Sequence, residues 1–260
     1  MGVDVEPAVW DAPDIDWAGF DLVVIRSTWD YQLRPAAYEQ WVRSFQSRPG
    51  QLWNPAAAVL ATVNKRYLVD LAHLGASVVP TVYIQAGGGP SLRAVAAERG
   101  WQEVVVKPAI SASASGTWRS AGEVTHEDEA AFAAQARAQD LLVQPYCLEV
   151  SSRGEWSLVF FDGTYSHAVL KRPAAGDFRV QRHFGGSPDS AAPTARLIDQ
   201  ASAVLALLGA PLLYARVDGV EREGDLLLME LEVNEPHLYL SFGPGAPARF
   251  ADAIARRLRA

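Results

Sequence analysis

The chain of 260 residues is 49% hydrophobic and 20% charged, which allows a sizeable core and one large domain or two to three small ones. Its formal net charge of −7 argues against a nucleic-acid partner, because binding to phosphates depends on clustered Lys and Arg. The single cysteine, Cys147, excludes an intrachain disulfide and a cysteine-rich zinc site, as is typical of a reducing compartment.

The sequence shows neither the pattern of a signal peptide nor that of a membrane-spanning segment. The first residues carry neither a basic segment nor an apolar run, so no signal peptide is expected. The longest apolar tract, residues 203–215, is interrupted by Gly209 and Pro211 and is shorter than the ~20 residues of a membrane span. We therefore expect a cytoplasmic protein without a membrane partner.

Residues 1–75 are predicted to form an N-terminal α/β unit that contacts the substrate. Its predicted elements, in chain order, are strands at 3–10 and 20–29, a helix at 35–45, a strand at 52–53 and a helix from about Asn64 that Gly75 ends. The continuous apolar run of the second strand is typical of a parallel strand covered on both faces. Because α/β units often open with a further strand and helix, this unit is expected to be truncated at its start.

The remaining chain predicts two α+β subdomains, 76–143 and 144–260, with a cleft between them. The first should contain a strand at 78–84, a turn or linker at 85–91, a helix at 91–99, a strand at 103–107 and a helix at 126–139. From 141 onward we expect strands at 141–146, 156–161 and 165–172, an irregular polar stretch at 174–193, a helix at 194–208, strands at 212–220 and 225–233, and a helix at 247–258. Turn signals such as Asp162 and Gly163 predict antiparallel hairpins in this later part.

A lysine follows a buried strand in the stretch VVVKPAISASASGTW, residues 104–118. Small residues let backbone N–H groups approach an anion closely, and the ammonium group of Lys107 adds a charge beside them. The pattern favours a phosphate cradle, although it lacks the GK[ST] of a Walker loop. A solvated lysine before an ordinary loop is the alternative.

Acidic residues alternate on two consecutive strands. Arg216 and Asp218 share one face of the first, while Glu230, Glu232 and Asn234 share one face of the second. A glycine-containing turn joins the strands, so we expect the carboxylates to lie side by side. Oxygen ligands of this kind suit Mg²⁺. The alternative is a solvated sheet face neutralised by arginines, and whether Asn234 joins the metal site stays open.

Two further segments carry candidate binding residues. A strand leads into Gln144 and Pro145, where the proline removes one backbone donor, which suits a hinge whose remaining backbone groups face a ligand. Glu155 begins the next strand and could accept hydrogen bonds from a ribose diol, or could be a surface residue at a turn.

Arg26, Ser27, Trp29, Asp30 and Tyr31 leave the carboxyl end of the second predicted strand, where ligands of α/β sheets tend to bind. We expect Arg26, Trp29, Asp30 and Tyr31 to contact an amino-acid substrate, with Arg26 on its carboxylate. A buried Trp and Tyr with a structural Arg–Asp pair is the alternative.

In this order, the motifs resemble the ATP-grasp superfamily of carboxylate ligases from about Asn64 to Pro236. They are Asn64-Lys65, VVVKP with its small-residue flap, QPY, GEWS, KRPAAGDFRVQRHFGG, RVD and MELEVNEP. The resemblance implies the ATP-grasp fold, an α+β architecture whose nucleotide cleft lies between two α+β subdomains.

The resemblance also implies a role for each matching residue. The residues implied to contact the nucleotide are the lysines Lys65 and Lys107, the residues Ser113, Ser115 and Gly116 of a lid at 111–117, the hinge residues Gln144, Pro145 and Tyr146, and Glu155. Two Mg²⁺ ions fall on Asp218, Glu230 and Glu232. Catalytic roles fall on Arg216, which would steady the acyl phosphate, and on Lys171 and Arg179 near the γ-phosphate. Many superfamily members carry asparagine where this chain has Glu232, so the metal site would be unusually acidic.

IRSTWDY at 25–31 and the run from Asn54 to Gly75 are similar to the O-ureido-serine cyclo-ligase branch, which makes D-cycloserine. This implies an ADP-forming ligase that activates a carboxylate for attack by an amine-type nucleophile in the same, amino-acid-like molecule. Intermolecular ligation of the glutathione synthetase kind, a non-catalytic nucleotide-binding relative and a nucleotide-independent scaffold remain alternatives. A homodimer is compatible with the sequence.

Overall fold

The computed structural model describes residues 2–259 and has three β-sheets surrounded by helices. The N-terminal elements are β1 (Val23–Val24), α1 (Pro35–Ser44), β2 (Leu52–Trp53), α2 (Ala56–Thr62) and α3 (Tyr67–His73). β1 and β2 pair in parallel, as the apolar run of β1 predicts. Aromatic side chains of this unit, among them Trp10, Tyr38 and Phe45, form a buried core of their own.

Two predictions for this unit are wrong. Residues 3–9 form no strand, and Val5 is 87% exposed, because no described strand lies beside them to bury alternate side chains. Residues 56–62, for which no helix is expected from the sequence, form α2, and a break at 63–66 separates it from α3. The end of α3 is as predicted, with Gly75 just beyond it at φ +95°.

The second sheet follows the predicted elements closely. It contains β3 (Val82–Ile84), β4 (Val104–Pro108), β5 (Trp118–Arg119) and β6 (Leu141–Pro145), in the order β3-β6-β4-β5. Helices α4 (Leu92–Arg99) and α5 (His126–Ala138) contribute to its buried apolar cluster. Because β6 extends to Pro145, the sheet passes the boundary predicted at residue 143 by two residues.

The third sheet is antiparallel and carries most of the large core. After the short helix α6 (Glu149–Ser152) come β7 (Glu155–Phe161), β8 (Thr164–Arg172), β9 (Ser187–Ser190), α7 (Ala195–Ala206), β10 (Tyr214–Arg222), β11 (Asp225–Glu232) and α8 (Ala246–Leu258). The strand order is β11-β10-β7-β8-β9. Asp162 and Gly163, at φ +54° and +74°, form the predicted hairpin turn between β7 and β8. The prediction of an irregular stretch at 174–193 is wrong in part, because β9 lies within it and pairs with β8.

Five 3-10 turns complete the described elements, at Trp17–Gly19, Tyr31–Leu33, Phe45–Ser47, Arg182–Phe184 and Leu240–Phe242. No helix among residues 2–259 is both long and apolar enough to cross a membrane.

Asn54 ties the N-terminal unit to the third sheet. This fully buried side chain donates to the carbonyl oxygens of Tyr214 (2.8 Å) and Val233 (2.7 Å). Its own oxygen accepts the N–H of Leu213 at 2.7 Å. Tyr214 adds a second link, because its hydroxyl donates to the carbonyls of Ile25 and Asn234. The chain after β1 and the chain after β11 are thereby held against each other.

We predict that Asn54→Ala destabilises the protein by about 3 kcal/mol, because it leaves backbone groups of the third sheet buried without partners. Urea unfolding followed by circular dichroism measures the change. Gln139→Ala, which removes an exposed amide after α5, is the control and should change stability by less than about 0.5 kcal/mol. Equal stability of the two variants would contradict the linking role of Asn54.

Candidate active site

A cleft of about 440 Å³ is lined by residues of the second and third sheets and by segments that follow β1 and β2. Most of the candidate residues meet there. The sequence-predicted residues on its walls are Trp29, Tyr31, Lys65, Lys107, Ser113, Gln144, Pro145, Tyr146, Glu155, Lys171, Arg179, Arg216, Asp218, Glu230 and Glu232. Arg26, Asp30, Ser115 and Gly116 are not among its lining residues.

The hinge after β6 forms one end of the cleft. The side-chain amide of Gln144 donates to Thr81 Oγ1 at 2.8 Å, and the backbone N–H of Tyr146 donates to the carbonyl of Glu103 at 3.0 Å. That N–H therefore already has a partner, although the backbone of Tyr146 was expected to meet an adenine. The Arg119 guanidinium lies 3.6 Å from the centroid of the Tyr146 ring, so a flat cationic and aromatic surface borders this end.

The two candidate phosphate lysines come from different units. Lys65, between α2 and α3, is buried and donates to the carbonyl of Ser111 at 2.6 Å. Its ammonium also lies 3.1 Å from Glu230. Lys107 lies near the end of β4, and burial lowers its pKa although Glu230 opposes the shift. The alternative of a solvated Lys107 is wrong, since the side chain is half-buried and faces the cleft.

The small-residue loop after β4 borders the cleft with only part of its length. Ser113 and Ala114 line the cleft with left-handed backbones, φ +54° and +57°. Gly116 instead packs on Pro108, whose Cγ would lie 2.9 Å from a Cβ at this position, and its carbonyl accepts the amide of Gln135. Any nucleotide contact by Ser115 or Gly116 therefore requires the loop to change shape.

The acidic strands pair in the predicted register. Asp218 of β10 lies opposite Glu230 of β11, and Arg216 lies opposite Glu232. Arg216 bonds both carboxylates: its Nη2 is 2.7 Å from Asp218 Oδ2 and also contacts Glu232. The alternative of a solvated face is wrong, because Asp218 is 2% and Arg216 7% exposed.

Each acid on this face has a basic partner, but the balance between burial and the attraction of that partner differs from one acid to the next. Burial opposes ionisation of Asp218, but Arg216 and Lys171 outweigh it and lower its pKa to about 2. Burial raises the pKa of Glu232 to about 7 despite Arg216. Burial also opposes ionisation of Glu230, whose pKa Lys65 and Lys107 nevertheless lower. Within residues 2–259, no three acidic or histidine side chains already form a cluster suited to a metal ion.

Lys171 joins the acidic face to Glu155. Its ammonium lies 2.5 Å from Glu155 and 3.4 Å from Asp218. The preceding Gly154 has φ +104°, and a Cβ there would lie 2.8 Å from the Lys171 carbonyl. Glycine therefore permits β7 to begin directly against β8, which sets Glu155 opposite Lys171. Burial raises the pKa of Glu155 although Lys171 opposes the shift.

Arg179 belongs to the loop between β8 and β9, which covers one side of the cleft. Its Nη2 contacts Asp177 at 2.8 Å, and its guanidinium lies over the Phe184 ring at 3.5 Å. The neighbouring Arg182 and His183 also line the cleft. Arg182 was not expected there, because a single cation in an irregular stretch gives no periodic signal.

The segment after β1 meets the cleft through aromatic side chains. Trp29 and Tyr31 line it, and the Trp29 indole N–H donates to the carbonyl of Glu235 at 3.0 Å. Asp30 instead accepts the Trp10 indole N–H and lies 3.7 Å from Arg34. Asp30 thus has the structural role of the alternative interpretation, with Arg34 as its partner. Arg26 is half-buried and does not line the cleft, and its guanidinium lies 5.5 Å from the Tyr214 ring centroid.

Glu235 is the most prominent cleft residue that sequence reasoning missed. It is 7% exposed, and its Oε2 has no hydrogen-bond partner. Burial raises its pKa to about 8, and Glu232 and Glu230 add to the shift. Glu235 lies beyond the end of β11 and outside the alternation that identifies Glu230 and Glu232, so the strand pattern gave no signal for it.

Comparisons with known proteins agree on one group. Residues 1–54 match the family model described as D-cycloserine synthetase DcsG, N-terminal domain. The cycloserine biosynthesis protein DcsG of Streptomyces lavendulae is 34% identical over 277 residues, which cover 100% of this chain and 90% of the relative. The crystal structure of D-cycloserine synthetase DcsG superimposes with a TM-score of 0.85 at 30% identity, covering 99% of this chain and 90% of that one.

A more distant structure is similar in fold alone. D-alanine–D-alanine ligase from Bacillus anthracis, complexed with ATP, has a TM-score of 0.63 at 14% identity, covering 88% of this chain and 82% of that one.

We predict that Glu235→Gln raises the melting temperature of the ligand-free protein at pH 8 by at least about 3 °C. An unfolded Glu ionises near pH 4.5 and folded Glu235 near 8, so the folded wild type holds an extra proton between these values and loses stability as pH rises through them. The difference should therefore shrink toward pH 5. Scanning calorimetry at both pH values measures it, with the exposed Glu98→Gln as a control expected to match wild type. A lower melting temperature for Glu235→Gln at pH 8 would contradict the absence of a partner.

Proposed function

The chain belongs to the D-cycloserine synthetase family and has the ATP-grasp fold, and from this we propose that it closes a ring within an amino-acid substrate of the O-ureido-serine type. It is an ATP-dependent ligase. The observation that carries the proposal is the gathering of four basic and three acidic candidate residues in one cleft. They are Lys65, Lys107, Lys171, Arg216, Asp218, Glu230 and Glu232.

The basic residues of the cleft can bind the phosphates of a nucleoside triphosphate, although the protein as a whole is acidic. In our proposal Lys65 and Lys107 bind its phosphates, Glu155 holds the ribose, and the hinge at Gln144, Pro145 and Tyr146 borders the adenine. Lys65 and Lys171 are paired with carboxylates in the structure. Phosphate oxygens can take over these contacts because they offer the same kind of charged acceptor.

The acidic face suits magnesium. Asp218, Glu230 and Glu232 supply hard oxygen donors, and the raised pKa of Glu232 indicates a carboxylate with less positive charge around it than it needs. Mg²⁺ is usually bound by one or two carboxylates plus substrate phosphates, which fits a site that is not complete without the nucleotide. When bound, the metal neutralises charge on the phosphates; two ions are our proposal for their number.

The reaction requires the substrate carboxylate to become a better electrophile. A carboxylate oxygen attacks the γ-phosphorus and ADP departs, which leaves an acyl phosphate. The substrate's amine-type nitrogen then attacks the acyl carbon, loses its proton and expels inorganic phosphate. Arg216, buried beside Asp218 and Glu232, is our candidate for the donor that stabilises the oxyanion in this second step.

Two further parts of the cleft are our candidates for contacting the substrate and for excluding water. Trp29 and Tyr31 border the end of the cleft at which we propose the amino acid binds, and the loop at 111–117 is the candidate lid that excludes water from the acyl phosphate. Arg179 is retained as a γ-phosphate candidate, for which its present ion pair with Asp177 must open.

The proposal also includes the domain boundaries, the location and the oligomeric state. We propose boundaries after residues 75 and 143, a cytoplasmic location and a homodimer. Intermolecular ligation is the second candidate reaction, and the intact set of charged residues speaks against a relative that only holds nucleotide.

We predict that Glu230→Gln lowers ADP release by about 100-fold or more, because a carboxylate facing the phosphates is lost. A coupled assay measures turnover, and circular dichroism checks that the fold is intact. The exposed Glu98→Gln serves as the matched control and should retain full activity. Full turnover by Glu230→Gln would refute the metal assignment.

We predict a product formed from O-ureido-D-serine alone, at the expense of one ATP. Ring closure removes one water from the substrate, and the carbamoyl group as well if it is lost in the same reaction. Mass spectrometry, alongside measurement of ADP, distinguishes this product from an intermolecular one. A product heavier than the substrate would point to intermolecular ligation instead.

A further inference from the structure

Two buried groups without partners lie where the segment after β1 meets the segment after β11. They are Nη1 of Arg26 and Oε2 of Glu235, and the charge of Glu235 acts to raise the pKa of Arg26 against the lowering by burial. Buried polar atoms in proteins nearly always have hydrogen-bond partners. Glu235, which lines the cleft, therefore offers an open acceptor to a ligand that supplies a donor.

The position of Glu235 is fixed by its neighbours. Its carbonyl accepts the Trp29 indole N–H at 3.0 Å. The preceding Asn234 is held at its side chain by the Tyr38 hydroxyl, 3.1 Å, and at its carbonyl by the Tyr214 hydroxyl, 2.6 Å. The carboxylate is thus presented to the cleft on a backbone that is already bonded, as expected for a binding group held in place before the ligand arrives.

Three cations of the cleft, Lys65, Lys171 and Arg216, are paired with other acids. Lys65 contacts Glu230, and Arg216 contacts Asp218 and Glu232. No lysine or arginine nitrogen of residues 2–259 lies within salt-bridge distance of Glu235. Burial disfavours its charge most, and the carboxylates of Glu232 and Glu230 add to this effect, although Lys65 partly opposes it. A positive group from outside the chain would relieve both the burial and the repulsion.

We propose that Glu235 binds the α-ammonium group of the amino-acid substrate. This inference rests on the proposed function and adds a specificity-determining residue to it. The aromatic side chains of Trp29 and Tyr31 line the same region and can border the ammonium with their rings.

The arrangement has a chemical consequence for the ligase. A carboxylate partner favours the protonated form of an amine, and an ammonium group has no lone pair with which to attack an acyl phosphate. Within one molecule the α-amine could reach its own acyl carbon only by closing a strained three-membered ring, so the ring-closing nitrogen is the nucleophile. Glu235 additionally disfavours attack by the α-amine on the acyl phosphate of a second substrate molecule.

The test compares two ligands that differ only in the amine: O-ureido-D-serine and its analogue without the amino group, 3-(ureidooxy)propanoate. Binding of each to the protein with Mg·ADP is measured by calorimetry, for wild type, Glu235→Gln and the exposed-site control Glu98→Gln. We expect wild type and the control to prefer the amino form. Glu235→Gln should lose at least about 30-fold in affinity for the amino form and less than about 3-fold for the analogue. Its affinity for Mg·ADP should be unchanged.

Several outcomes would overturn the proposal. An equal loss for both ligands, or weaker binding of Mg·ADP, would assign Glu235 to the nucleotide or metal site or to the fold. No preference of the wild type for the amino form would exclude an ammonium site whether or not ATP is cleaved. If the preference exists but no ADP is released from either ligand, the proposed function fails while the ammonium site stands.

Discussion

The geometry of the candidate active site depends on alternating charges buried in one cleft. Lys65 with Glu230, Arg216 with Glu232 and Asp218, and Lys171 with Asp218 and Glu155 form a nearly continuous series of ion pairs across strands β7, β8, β10 and β11. Such pairs add little net stability, because removing the charges from water costs about as much as their attraction returns. Their retention here is therefore better explained by ligand binding than by folding. A nucleotide and its metal ions carry the same two signs of charge. Phosphates can replace the carboxylates as partners of the basic residues, and metal ions can replace the basic residues as partners of the carboxylates, so that no charge is left unpaired.

The frame around this cleft places the two kinds of charge on different units. The lysines at residues 65 and 107 come from the N-terminal unit and the second sheet, whereas the acids come from a single hairpin of the third sheet. Hydrogen bonds of Asn54 and Tyr214 hold the first unit to that hairpin. The distance between the lysines and the acids thus follows from packing far from the cleft as well as from local contacts.

The sequence predicted the parts of this arrangement that repeat regularly. Alternation along β10 and β11 predicted that Arg216 and Asp218 would face Glu230 and Glu232, because side chains in strands have a period of two. It predicted strands at 20–29 and 52–53, which contain β1 and β2, but wrongly predicted a strand at 3–10, where the exposed residues 3–9 have the composition of a strand but no described strand beside them. It also missed α2, since the break at residues 63–66 depends on contacts of Lys65 with a distant loop. Glu235 and Arg182 were missed for a related reason: Glu235 follows the end of β11 and Arg182 begins a short 3-10 turn, and in both places tertiary contacts set the side-chain directions.

Asn54 is also the last residue of the region that matches the family's N-terminal model, yet its side chain is bonded within the third sheet. The unit defined by sequence similarity is therefore not a mechanically separable module. A chimera that exchanged the first 54 residues between relatives would transplant an amide whose acceptors belong to the recipient. Such exchanges should succeed only between chains whose backbones after residues 212 and 232 follow the same path, so the beginning and the end of the protein are constrained to evolve together.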